Sequence, residues 1–369
     1  MRFSLTSFIR LATLLFLTST AAAVGVSRLA PRPRGWRTAV PAAYIGVNNY
    51  FFTHSSRTMR WVDLKDGRTR TLPHHEGEGL DTASCSPWRD ESGRAQIVGR
   101  WMKRTEAGGV EVGIARASFP DGEILDRVAT EVVPFGAPCW SPNTRAEVIY
   151  AATDGRLYRY AFESPDADPA RRSVLDRDER PVPLVWRCPV PGRGLINVTD
   201  PHRSTDPKLA DLLFVSLRLV EDDRPNPKYS PAQLWWLRLG EDGRAVEGAG
   251  RLGTLESKGR RVDERCPAVG RLADGRFALS YLRQVDDRPW ELLVAPLRID
   301  ESERPVLDAE RKRVLVERCV PSPPVFAADG RSIGVIRSDA SLKTVEIPGV
   351  EIDRPKRRSL AGLNRADGG

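Results

Sequence analysis

The sequence predicts an all-β fold assembled from small, repeated antiparallel sheets. Three observations carry that prediction. A unit of strand, tight turn and strand recurs along the chain. Five cysteines, Cys85, Cys139, Cys188, Cys266 and Cys319, mark the copies at separations of 54, 49, 78 and 53 residues. The run after each cysteine is strand-like, and the last three share an ending: LFVSLR, ALSYLR and IGVIR.

The clearest unit is PCWSPNTRAEVIYAATDGRLYRYAF, from Pro138 to Phe162. Pro138, Ser141, Pro142 and Asn143 are turn formers and keep helix out. The stretch 147–152 (EVIYAA) is β-branched and aromatic, as a half-buried strand requires. Asp154-Gly155 makes a tight hairpin, because glycine takes positive φ without steric penalty. Leu157, Tyr158 and Tyr160 open the second strand. Self-similarity near 50 residues, all strand and turn, is the mark of propeller blades. The pattern Pro-x-Trp-Ser-Pro-Asn, strand, Asp-Gly, strand resembles the TolB-type β-propeller repeat, closely at 138–160 and loosely elsewhere. The resemblance implies a rigid scaffold without a cofactor that binds partners on a loop-bearing face or at the mouth of its central channel.

In chain order, residues 1–23 have the form of a secretory signal peptide. Arg2 and Arg10 are basic, 11–17 is a short apolar core, and Ala21-Ala22-Ala23 offers a cleavage site. An uncleaved N-terminal anchor is the alternative. Residues 24–40 are rich in proline and arginine and read as a linker. The propeller is expected over 41–352, as six blades of four-stranded antiparallel sheet. A seventh fits if the long fourth unit hides another. Blades are placed at 41–80, 81–133, 134–180, 181–256, 257–312 and 313–352, with an insertion at 199–210 in the fourth. Residues 353–369 carry many charges and few apolar side chains, the composition of a disordered basic tail.

The 369 residues carry 57 Lys and Arg against 49 Asp and Glu, a net charge of +8. The arginines are dispersed, which argues against a nucleic-acid surface. An anionic partner is compatible with this balance. No later segment is apolar enough to be transmembrane.

The cysteines are expected at equivalent positions on an inner ring. Three readings follow for them: small buried core residues, disulfides between neighbouring blades of an exported chain, or a metal or redox site. No Cys-x-x-Cys pair supports the last. Arg187, Arg265 and Arg318 each precede a cysteine and are the candidate ligand-binding residues. Their guanidinium forks suit a carboxylate or phosphate; ion pairing with nearby Asp263, Glu264 or Glu317 is the competing role. His74-His75 reads as a solvated loop pair. No nucleophile elbow or phosphate-cradling loop is present, so no residue is assigned a catalytic role and no metal or cofactor is expected. Trp235-Trp236 should place one ring in the core and one outward.

These features favour an exported, periplasmic or secreted, non-catalytic scaffold for a protein or envelope polymer. An enzyme acting on a polyanionic glycan at the channel mouth is the alternative.

Overall fold

Apolar runs too short for helices, separated by Asp-Gly and proline turns, fold as antiparallel strands in a β-propeller arrangement. The computed structural model describes residues 42–43, 50–55, 58–63, 69–72, 78–89, 93–133, 137–142, 147–153, 155–162, 195–220, 230–240, 246–252, 259–339 and 341–349. All of them belong to one compact unit, 38–369. The signal peptide, linker and basic tail expected at 1–23, 24–40 and 353–369 lie outside the described residues, as do Arg187, Cys188, His74, His75 and Asp154.

The described strands form six sheets. The first contains β1 (Ala42–Ala43), β2 (Tyr50–Ser55), β3 (Thr58–Asp63) and β4 (Thr69–Leu72). The second contains β5 (Glu78–Arg89), β6 (Ala95–Arg104), β7 (Val110–Phe119) and β8 (Ile124–Ala129). The third contains β9 (Cys139–Trp140), β10 (Glu147–Ala151) and β11 (Leu157–Ala161). The fourth contains β12 (Leu195–Arg203), β13 (Leu212–Val220), β14 (Gln233–Leu239) and β15 (Val246–Arg251). The fifth contains β16 (Val262–Arg271), β17 (Phe277–Val285), β18 (Trp290–Ile299), β19 (Pro305–Leu307) and β20 (Arg313–Cys319). The sixth contains β21 (Val325–Phe326), β22 (Ser332–Ile336) and β23 (Leu342–Glu346). Within each sheet, consecutive strands pair antiparallel; β19 and β20 both pair with β18. The propeller expectation holds, with five blades in place of the six expected. Among the described residues the third and sixth sheets have three strands, and the cavity is lined from the second to fifth sheets and by Pro323, ahead of the sixth.

The sheets pack face to face through apolar clusters. Val98 and Ile114 of the second sheet meet Trp140, Val148 and Tyr150 of the third. Ile149 and Leu157 of the third meet Val198, Leu213 and Val215 of the fourth. Phe214 and Trp236 of the fourth meet Leu279 and Leu293 of the fifth. Leu282 and Leu292 of the fifth meet Ile333 and Val335 of the sixth. Val325 and Ile336 of the sixth return to a cluster with Leu80 and Ile97 of the second sheet and Trp61 of the first. The second to sixth sheets are therefore covered on both faces, which is why β10 is buried at every position. It also corrects the outward ring expected of the tryptophan pair. Trp235 packs towards the third sheet and Trp236 towards the fifth, and both are buried.

A second correction concerns the fourth sheet. The stretch read as an insertion, 199–210, contains the end of the inner strand β12 and a single 3-10 turn at Pro207–Leu209. The strand looks like a loop because it carries a β-bulge, with register shifting between Thr199 and His202. The inner strand β16 shifts in the same way between Arg265 and Ala268, and β5 between Asp81 and Ser84. In β12 and β16 the extra pair is Asp200-Pro201 and Cys266-Pro267. The first member of each takes a left-handed φ, 56° and 54°. Among the described residues no helix is long and apolar enough to cross a membrane.

Candidate functional site

The inner segments meet at a small cavity lined by Ser84, Cys85, Pro138, Cys139, Asp200, His202, Arg203, Pro267 and Pro323, among others. Its volume is about 40 Å³. A bound water occupies about 30 Å³ of liquid volume, so the cavity has the scale of a water or two rather than of a sugar ring or a peptide.

Most of the polar groups around it bond one another, although the buried Arg203 Nε has no partner. Asp200, presented by the bulge of β12, pairs with Arg265 of β16 at 3.2 Å, and its side chain is only 1% exposed. Burial pushes the Asp200 carboxyl up, but the Arg265 guanidinium and hydrogen bonds from Ser216 and Thr199 outweigh it and hold it below the usual carboxylate range. The Cys266 N–H donates to the Ser216 hydroxyl at 3.0 Å, tying the fifth sheet to the fourth at the same point. His202 Nε2 accepts the Val269 N–H at 2.9 Å, which leaves the ring proton on Nδ1. Burial pulls the His202 imidazole down to about 3, so it is neutral. Arg203 donates to the Ser141 hydroxyl at 3.2 Å and to the Ala210 carbonyl at 2.6 Å. The Trp140 indole N–H donates to the Ser84 carbonyl at 3.1 Å, and the Ser84 hydroxyl donates to the Pro138 carbonyl. Apart from Arg203 to Ala210 and the Ser216 and Thr199 bonds to Asp200, these bonds join neighbouring sheets.

The structure separates the candidate arginines. Arg265 is inward and bound to Asp200, 65 residues away in sequence, rather than to the adjacent acids. Asp263 is held instead by Arg218 at 3.2 Å and Arg261 at 3.1 Å. Arg318 is exposed at the end of β20, with φ 60°. Its carbonyl accepts the Ser338 N–H at 2.7 Å, just past β22 of the sixth sheet.

The four described cysteines are free and buried. Cys85 and Cys139 line the cavity, Cys266 sits in the β16 bulge, and Cys319 ends β20, opposite Trp290 of β18 and bridged to Arg337 just past β22 of the sixth sheet. The disulfide reading is corrected for these four. Burial pushes the Cys139 thiol up to about 12 and the Cys319 thiol up to about 11, and raises those of Cys85 and Cys266 as well. Thiolate is the reactive form, so these groups are inert at neutral pH. Alkylation of the native protein, read by peptide mass spectrometry, is expected to leave all four unmodified and to label all four after denaturation. Rapid native labelling of Cys85 or Cys139 would show an axis open to reagents. Among the described residues, no three His, Cys, Asp or Glu side chains are grouped to hold a metal ion.

Next to this cavity lies a larger groove of about 360 Å³, sharing Ser204 and Thr205 with it. Its other walls are Asp206, Pro207, Val269, Gly270, Arg271, Phe326, Ala327 and Ala328. It is built where the ends of β12, β16 and β21 come together. The Phe326 ring lies so close on Gly270 that a Cβ there would meet it at 2.3 Å. The Asp329-Gly330 turn docks on its neighbour through a bond from the Ala273 N–H to the Gly330 carbonyl, 3.3 Å. Arg271 reaches Asp206 at 3.5 Å across the groove, with the arginine side chain 59% exposed. The volume lies within the range of ligand-binding clefts. Sequence reasoning missed this groove, because its residues come from three sheets and none belongs to a recognisable motif.

No family model matches the chain, and no curated protein matches it. Among solved structures it is similar to a protein of unknown function from Dyadobacter fermentans DSM 18053, at 13% identity and TM-score 0.48, over 84% of this chain and 94% of that one. It is similar to a chain of a mitotic checkpoint complex at 11% identity and TM-score 0.43, over 83% and 86%. It is also similar to an endo-arabinase from Bacteroides thetaiotaomicron VPI-5482 at 12% identity and TM-score 0.40, over 86% and 96%. No functional statement follows from likenesses this distant.

Proposed function

We propose that this chain is an exported, non-catalytic propeller of the TolB type that binds a protein partner or an envelope polymer at the groove between its fourth, fifth and sixth sheets. The observation that carries the reading is the contrast between the axis and the groove. At the axis most polar side chains bond one another around a cavity of about 40 Å³. Beside it lies a groove of about 360 Å³, with an exposed arginine on its wall. Export rests on the form of residues 1–23, and a periplasmic or secreted location follows from it. The TolB-type assignment rests on the repeat at 138–160.

Ala328, exposed on the groove wall, provides the test. The tagged protein is incubated with a detergent-solubilised envelope protein fraction and, separately, with isolated cell-wall polymer. Ala328→Arg is expected to reduce capture from one of these about tenfold or more without lowering Tm, as expected where a charge is forced into a contact. Capture unchanged by Ala328→Arg and by Thr205→Arg would remove the groove from the account. Capture from the protein fraction alone would identify a protein partner, and from the polymer alone an envelope ligand.

A further inference from the structure

We propose that the seam between the fourth and fifth sheets is a proton-operated joint whose titrating group is Glu264. Glu264 lies on the inner strand β16 and is 4% exposed. Its N–H donates to the Ala232 carbonyl of the fourth sheet at 2.8 Å, and the Ala232 N–H donates to Asp263 at 2.9 Å. The residue therefore sits on the stitch that closes this seam. Its Oε2 is buried and has no hydrogen-bond partner. Arg251, on the outer strand of the fourth sheet, faces it with Nε and Nη2 also buried and unpartnered. A carboxylate and a guanidinium side by side, each with unused hydrogen-bonding atoms and no ion pair between them, is the arrangement of a neutral acid.

The other charged and titratable groups around Glu264 make no ion pair with it. Arg283 of β17, opposite Glu264 in the ladder, gives Nη2 to Glu291 of β18 at 3.1 Å and keeps a buried, unpartnered Nε. Tyr281 of β17 is buried against the same carboxyl, and burial together with Glu264 pushes its phenol up. Lys312, ahead of β20, adds a weaker attraction, and neighbouring Asp263 is turned to Arg218 and Arg261. Burial raises the Glu264 carboxyl to about 7, against the pull of Arg251, Arg283 and Lys312. When the proton leaves to solvent, a bare carboxylate remains in the seam and must draw Arg251 or water towards it. Because the folded value lies above the unfolded one, the stabilising effect is complete below the unfolded value of 4.5 and is lost as pH rises through about 7. The same strand carries Val269, Gly270 and Arg271 of the groove at its other end. The joint does not depend on that groove being the binding site.

The test is amide hydrogen exchange at Glu264 and Ala232, with Tm, between about pH 5 and 8, where stability curves of single domains report such linkage. After correction for intrinsic base catalysis, the wild-type seam amides are expected to exchange about tenfold faster at the upper end, while Glu264→Gln shows a flat profile. Arg251→Gln, which keeps the carboxyl and removes the cation that attracts it most, should move the transition to higher pH. Identical profiles for the wild type and Glu264→Gln would overturn the proposal. If Glu264→Gln does not fold, an Arg251→Gln profile superposing on the wild type overturns it equally.

Discussion

Asp200→Ala is expected to destabilise the fold by about 3–5 kcal/mol, because it strands the Arg265 guanidinium in a largely buried place. The side chains are 1% and 16% exposed, so solvent screening does little for the cation left behind. The same change removes the acceptor that fixes the bulge of β12 against β16. The loss should be recovered in large part by Asp200→Ala combined with Arg265→Met, since an apolar replacement of a whole buried pair is often neutral. Urea unfolding of the single and double variants checks this. A single variant within about 1 kcal/mol of the wild type would mean that the pair is solvated. The pH dependence has a fixed sign. The Asp200 carboxyl is lower in the folded state than its unfolded 3.8, so the pair contributes fully above that value and its contribution is lost as pH falls through the lower one.

Trp140→Ala is expected to be comparably severe, about 3–5 kcal/mol, as a large aromatic removed from a filled core. Trp140 is 5% exposed, meets Trp88 edge-on with ring centroids 5.3 Å apart, and belongs to the cluster joining the second and third sheets. Its N–H also bonds the Ser84 carbonyl across that joint. Trp140→Phe keeps most of the ring contact and loses the donor, so it should lose only about 1–3 kcal/mol. Thermal or urea unfolding separates the two. Equal losses for Phe and Ala would assign the residue's contribution to the hydrogen bond rather than to packing.

Both residues illustrate what the sequence made legible. Trp140 stands out in PCWSPN, and the second strands β6, β10, β13, β17 and β22 coincide closely with runs read from the chain, because strands covered on both faces are apolar without interruption. The inner strands are harder to read. Their bulges place Asp-Pro and Cys-Pro pairs inside a ladder, a composition that otherwise marks a loop. Asp200-Pro201-His202-Arg203 therefore reads as an insertion, although it supplies four residues of the axis. Arg265 was legible as a site residue but its partner was not. Asp263, Glu264 and Glu317 are near it or its counterpart in sequence, whereas Asp200 becomes a neighbour only when the fourth and fifth sheets pack. The regular spacing of the cysteines was legible, but the bridge that sets Cys319 against Arg337 of the sixth sheet was not, because spacing along the chain does not show which strands pair. The groove was invisible for the same reason, being made by the ends of three separate inner strands.

A partner that engages the groove should leave the axis untouched. Hydrogen–deuterium exchange of the protein alone and bound to whichever envelope fraction it captures tests this directly. Slowed exchange is expected in peptides covering 269–276 and 326–331, with 84–87 and 138–142 unchanged. Protection centred on 84–87 and 138–142, with the groove peptides unaffected, would place binding at the axis and contradict that expectation.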